Sequence, residues 1–179
     1  MNRHDHPALA LGTRAAKGTL FRSLHFGVLG ALAVEEGTMA LLNERDRREI
    51  QAQLKDLTGP VKLVNFTQEL ACQYCRETEL LLKQVQELSD KVSLEVYNFQ
   101  LDKERVAQYR VDKIPATIVE GSKDYGIRFY GIPLGYGFAP FLAAIKDVSR
   151  GGTDLKIETR AALAPITQPV HLQVFSTPT

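Results

Sequence analysis

The only two cysteines of this chain, Cys72 and Cys75, stand three residues apart in Cys-Gln-Tyr-Cys. What flanks them constrains the fold more than any other feature. Val61 to Thr67 (VKLVNFT) is rich in β-branched and aromatic residues and too short for a helix, so it reads as a strand running up to the pair. After the pair, Arg76 to Asp90 (RETELLLKQVQELSD) puts Leu81, Leu82, Val85 and Leu88 on one face of a helix of three to four turns. The expectation is strand, dithiol, helix, with the first thiol turned outward and the second a turn further in. Two cysteines cannot form the disulfide framework that staples small secreted domains. The pair therefore reads as chemistry.

The remaining elements fall into order around that core. Asn43 to Leu57 has Ile50, Leu54 and Leu57 at helical spacing, Asn43 as an N-cap and Gly59-Pro60 as a stop. Val92 to Phe99 alternates apolar and polar residues as a half-buried strand does, and Asp102 to Tyr109 makes a short, charged helix. Beyond Ile114-Pro115, Ala116 to Val119 and Ile127 to Tyr130 form two strands of a hairpin. A glycine-rich bend, Gly131 to Gly137, leads into a last helix over Phe138 to Val148 that ends near Gly151-Gly152. The economical packing of this list is α/β: a central mixed four-stranded sheet, a parallel pair plus an antiparallel hairpin, with helices on both faces.

The ends read differently. Residues 1–38 are a leader, disordered or upstream of the natural start, with Met39 as the initiator. The alternative is export, because Leu24 to Ala33 (LHFGVLGALA) is apolar, follows Arg3, Arg14, Lys17 and Arg22, and ends in Ala31-Leu32-Ala33. No stretch reaches the roughly 20 apolar residues that a membrane helix needs. At the other end, Pro169-Val-His-Leu-Gln-Val-Phe-Ser repeats Pro60-Val-Lys-Leu-Val-Asn-Phe-Thr, with Pro, Val, Leu and Phe matched in place. Residues 153–179 are therefore expected to be a linker and the first strand of an incomplete second unit.

Thiolate is the attacking species in disulfide exchange, and a helix N-terminus with its free amides favours it. Cys72 is accordingly assigned as nucleophile and Cys75 as the resolving thiol. The same layout resembles the thioredoxin superfamily. CQYC, KIPATIV and the stretch 39–152 resemble the first unit of the glutaredoxin-like protein disulfide oxidoreductases, which have two such units. The resemblance implies a thioredoxin-like fold and a protein disulfide oxidoreductase acting on protein thiols and disulfides. It also implies that Pro115 is the cis-proline facing the dithiol and that Ile114 offers its backbone to a bound substrate segment. Two departures accompany it. Thioredoxins carry a buried aspartate six residues before the first cysteine, where this chain has Phe66. The second dithiol of the two-unit proteins is missing, which lowers the activity expected.

Other readings stand beside this one. Tyr74 is assigned to the rim of the site as a shield, while Glu69, Arg76 and Glu77 fit a solvated surface, with Arg76 also able to hold a thiolate. A zinc site needs four ligands, and His4, His6, His25 and His171 lack ligand spacing, so neither metal nor cofactor is expected. Tyr125, Tyr130, Tyr136 and the nearby glycines shape a bend rather than a phosphate loop. Charge is balanced at 22 basic against 21 acidic residues, which points away from nucleic acid and anionic membranes. The partners expected are protein thiols and a thioredoxin-reductase-like flavoprotein or glutathione, in the cytoplasm. The alternative function is a non-catalytic electron-relay or docking module of a larger redox system.

Overall fold

The computed structural model of the chain describes residues 40–176. The leader expected over residues 1–38 lies outside them.

Helix α1, Glu44–Leu54, starts where the cap was expected: the Asn43 side-chain oxygen accepts from the backbone N–H of Asp46 at 2.9 Å. Strand β1, Val61–Thr67, follows, then helix α2, Cys75–Gln86, strand β2, Val92–Asn98, and helix α3, Lys103–Tyr109. Strands β3, Ala116–Glu120, and β4, Asp124–Tyr130, make the hairpin. A single 3₁₀ turn at Gly135–Gly137 opens helix α4, Phe138–Arg150. The hairpin strands are longer than apolar text alone indicates. β4 begins at Asp124, where exposed residues are held by ladder hydrogen bonds rather than by burial.

The sheet order is β2-β1-β3-β4, with β1 parallel to β2 and antiparallel to β3, and β3 antiparallel to β4. Strand alternation sorts β1 onto two cores. Val61 and Leu63, with Val119 of β3, pack under Ile50 and Leu54 of α1, Leu81, Leu82 and Val85 of α2, and Phe141 and Ile145 of α4. Val64 and Phe66, with Ala116 and Ile118, pack against Tyr109 and Val111 on the α3 side. Every second side chain of β1 thus serves a different layer, which is why the strand is apolar on both faces. Lys62, at its outer end, binds Glu120 of β3 at 2.9 Å; that hydrogen bond holds the ammonium well above the usual lysine range.

The far end of α4 is fastened to the turn between α1 and β1. Gly59 N–H donates to Ser149 Oγ at 2.9 Å, Ser149 Oγ donates to Gly59 C=O at 2.8 Å, and Thr58 Oγ1 donates to Ser149 C=O at 2.9 Å. Gly121 passes so close that a Cβ there would stand 2.3 Å from the Val148 carbonyl oxygen.

Every described residue after Gly151 is exposed. Within the expected linker it forms a short helix, α5, Ile157–Leu163, with no buried residue. The segment that repeats β1 joins no strand ladder among the described residues, and Leu172 and Val174 are exposed. Among the described residues, no helix is long and apolar enough to cross a membrane.

Candidate redox site

β1 ends at Thr67, and residues 68–74 carry the chain over the top of the sheet to α2. Ala71, immediately before the dithiol, has φ +57°, a left-handed conformation that costs an L-residue about 1–2 kcal/mol. Cys72 and Cys75 form a disulfide with their Cα atoms 5.5 Å apart. Cys75 is the first residue of α2 and is buried, whereas Cys72 sits in the preceding turn and is half-exposed. The expected outward and inward thiols are therefore distinguished by accessibility.

The helix start is built from local bonds. Tyr74 C=O accepts both from Thr78 N–H, at 2.9 Å, and from Thr78 Oγ1, at 2.6 Å. No side chain caps α2 at Tyr74, so the amides of its first turn remain available to a negative charge at the dithiol. The Tyr74 ring is 44% exposed and its hydroxyl accepts from Gln73 Nε2 at 3.2 Å. It is an exposed ring next to Cys75 in the chain.

Beside Cys72 a groove of about 660 Å³ runs between α2 and β2. Its wall carries Glu69, Arg76, Glu79, Lys83 and Asp102, so charge of both signs faces whatever approaches Cys72. Glu79 and Lys83 pair along the helix at 2.6 Å. Asp102 turns inward at the carboxylate, accepting from Asn98 N–H at 2.5 Å.

The Ile114–Pro115 peptide bond is cis. Because Ala116 pairs with Phe66, Pro115 stands at the end of the sheet from which the chain leaves toward Cys72. Pro115 is buried, and its carbonyl accepts from Gly131 N–H at 2.9 Å. The N–H and C=O of Ile114 take part in none of the loop's backbone hydrogen bonds among the described residues. Among the described residues, no three His, Cys, Asp or Glu side chains converge as a metal site.

One arrangement was not read from the sequence. Counting six residues back from Cys72 lands on Phe66, which packs in the α3 core, away from α2. The buried polar residue of β1 is its neighbour Asn65, which pairs in register with Thr117 of β3. A polar side chain between the apolar Val64 and Phe66 was the available signal.

A solved structure, the protein disulfide oxidoreductase from Aeropyrum pernix K1, matches 69% of this chain and 55% of its own, at 25% identity and a TM-score of 0.62. The chain is a thioredoxin-superfamily protein. This thioredoxin-fold chain also matches the N-terminal domain of the alkylhydroperoxide reductase AhpF from Enterococcus faecalis, at 22% identity and a TM-score of 0.61, over 68% of this chain and 59% of that one. It thus spans less than two thirds of either structure. No family model and no curated protein matches it.

Proposed function

We propose that the chain is a thiol-disulfide oxidoreductase that exchanges disulfides with protein substrates, with Cys72 as nucleophile and Cys75 as resolving thiol. The observation that carries this reading is the asymmetry of the disulfide: an accessible sulfur at the mouth of a groove, joined to a buried one at the first turn of a helix. In the reduced enzyme the Cys72 thiolate attacks a substrate disulfide and expels one substrate thiolate. Cys75 then attacks Cys72 and releases the second, leaving the disulfide seen here. Run in reverse, the same pair oxidises dithiols.

The backbone groups of Ile114, beside cis-Pro115 and in no backbone hydrogen bond among the described residues, support a substrate-holding role for that loop, and Tyr74 closes the other rim. The glutaredoxin-like first-unit assignment rests on CQYC and KIPATIV together with the likeness to the Aeropyrum pernix disulfide oxidoreductase. The repeat of β1 over 169–176 supports reading that segment as the opening strand of a second unit. A cytoplasmic setting and reduction by a flavoprotein or glutathione complete the proposal. The likeness to a domain of AhpF, a reductase subunit, favours the second reading, a relay that passes electrons within a larger assembly.

Insulin reduction by dithiothreitol separates the two. The wild type is expected to accelerate it, Cys72→Ser to lose all acceleration, and Cys75→Ser to accumulate a mixed disulfide through Cys72. Equal rates for all three proteins would overturn the catalytic reading.

A further inference from the structure

Asn65 and Thr117 are direct partners in the antiparallel ladder between β1 and β3. Leu63 and Val119, two residues away on each strand, belong to the core under α2 and α4. By strand alternation Asn65 and Thr117 share that face, at the end of β1 from which the chain leaves toward Cys72. Cys75 and Thr78 are the first buried residues of α2, one of the helices that cover this face. The two polar side chains thus face the layer that holds α2 and α4, at the dithiol end of β1.

Both are fully buried. The Asn65 Nδ2 and Oδ1 and the Thr117 Oγ1 have no hydrogen-bond partner among the described residues. Thr78 donates nothing to them, because its hydroxyl hydrogen is given to the Tyr74 carbonyl. An unmet buried amide and hydroxyl are costly to the fold, so their presence calls for a state in which they are met. Exchange chemistry creates one. In the disulfide the Cys75 sulfur carries no charge, but in the resolving step it must become a thiolate while buried, where apolar surroundings oppose ionisation.

We infer that Asn65 and Thr117 are positioning residues for the resolving thiol, donating hydrogen bonds from Nδ2 and Oγ1 that stabilise the Cys75 thiolate as it attacks Cys72. The inference rests on the exchange reading of the dithiol. Cys75 gives its proton to water and its sulfur attacks the Cys72 sulfur of the mixed disulfide. The Cys72–Cys75 bond forms, the bond from Cys72 to the substrate sulfur breaks, and its electron pair leaves on the substrate thiolate. The charged groups near the dithiol, Glu69, Arg76, Glu77, Glu79, Lys83 and Asp102, lie on loop 68–74, α2 and the start of α3. The buried residues that β1, β3 and α4 bring to the opposite side include no ionisable side chain. The floor of the site therefore acts by uncharged donors and adds no titration of its own.

The reduced full chain, mixed with 5,5′-dithiobis(2-nitrobenzoate), reports the two steps separately. One thionitrobenzoate is released when Cys72 attacks and a second when Cys75 displaces the adduct from Cys72. Asn65→Leu and Thr117→Val are expected to leave the first release within about twofold of wild type, slow the second about tenfold near neutral pH, and move its pH profile about one unit alkaline. Thr117→Ser, which keeps the hydroxyl, is expected to restore the wild-type profile. A purely structural role would change the melting temperature and leave the profile in place. Wild-type profiles for the second release in both Asn65→Leu and Thr117→Val overturn the inference alone. A wild type that releases no second thionitrobenzoate overturns the exchange reading, and the inference with it. Should Asn65→Leu fail to fold, Thr117→Val compared with Thr117→Ser decides the question.

Discussion

The two sides of the dithiol are built on opposite principles. The rim beside Cys72 is open, charged with both signs and carried on a loop and a helix surface. The floor beneath Cys75 is closed, and its buried polar groups are an amide and hydroxyls. The contrast divides the labour of exchange. An approaching partner is met by charges that water screens and that tolerate many sequences. The sulfur that stays inside is met by fixed neutral groups that no salt reaches. Substitutions on the floor should therefore register in stability or in the resolving step, and substitutions on the rim in the rate of encounter.

The harshest way to break the contrast is to hollow the floor. Leu81, fully buried on the inner face of α2, cut to alanine removes packing worth about 2–5 kcal/mol. Urea titration should show that loss, while the first thionitrobenzoate release by the folded fraction stays close to wild type. A loss below about 1 kcal/mol would mean that α2 is not anchored as described.

A milder test inverts the rim. Arg76→Glu combined with Lys83→Glu should slow attack on the anionic probe disulfide several-fold at low ionic strength, and the difference should vanish near 1 M salt, where the screening length is about 3 Å. A defect that persists in high salt would assign those side chains a role beyond charge.

The smallest effect is expected where neither side is touched. Asp124, at the start of β4, binds Arg128 at 2.6 Å, and that hydrogen bond holds its carboxyl below the usual aspartate range. Because the folded value is depressed, the stabilisation is complete above the unfolded value and is lost as pH falls through the folded one. Asp124→Asn should therefore cost about 0.5 kcal/mol or less at neutral pH, given solvent screening. It should also flatten the acid limb of the stability profile below about pH 4, with exchange rates unchanged. An altered exchange rate would show that the hairpin edge reaches the dithiol.

How much of this was legible in the sequence follows from how each feature is encoded. Asn43 caps α1 and Ile50 and Leu54 bury its inner face, because cap chemistry and periodicity are local. The order strand, dithiol, helix is local too. The floor is not. Which residue of β1 lies beneath α2 depends on the path of the loop over 68–74, and counting back from Cys72 selects Phe66 when the polar residue on that face is Asn65. A shift of one residue along a strand exchanges the two faces of the sheet. The start of β4 was missed for another reason: Asp124 is exposed and enters the ladder by backbone pairing with Glu120, which leaves no apolar pattern to read. The matched segments 60–67 and 169–176 make the same point, since similar text becomes the buried central strand in one place and stays exposed outside any ladder in the other. A strand is made by its neighbours.

The clasp between Ser149 and the Thr58-Gly59 turn has a mechanical consequence. Force applied to the chain beyond Arg150 meets that clasp first and passes into the α1–β1 turn, at the end of the sheet opposite the dithiol. A tug on the exposed tail is thus grounded before it can reach the first turn of α2, and whatever the tail is tethered to can pull or swing without disturbing the spacing of the two sulfurs.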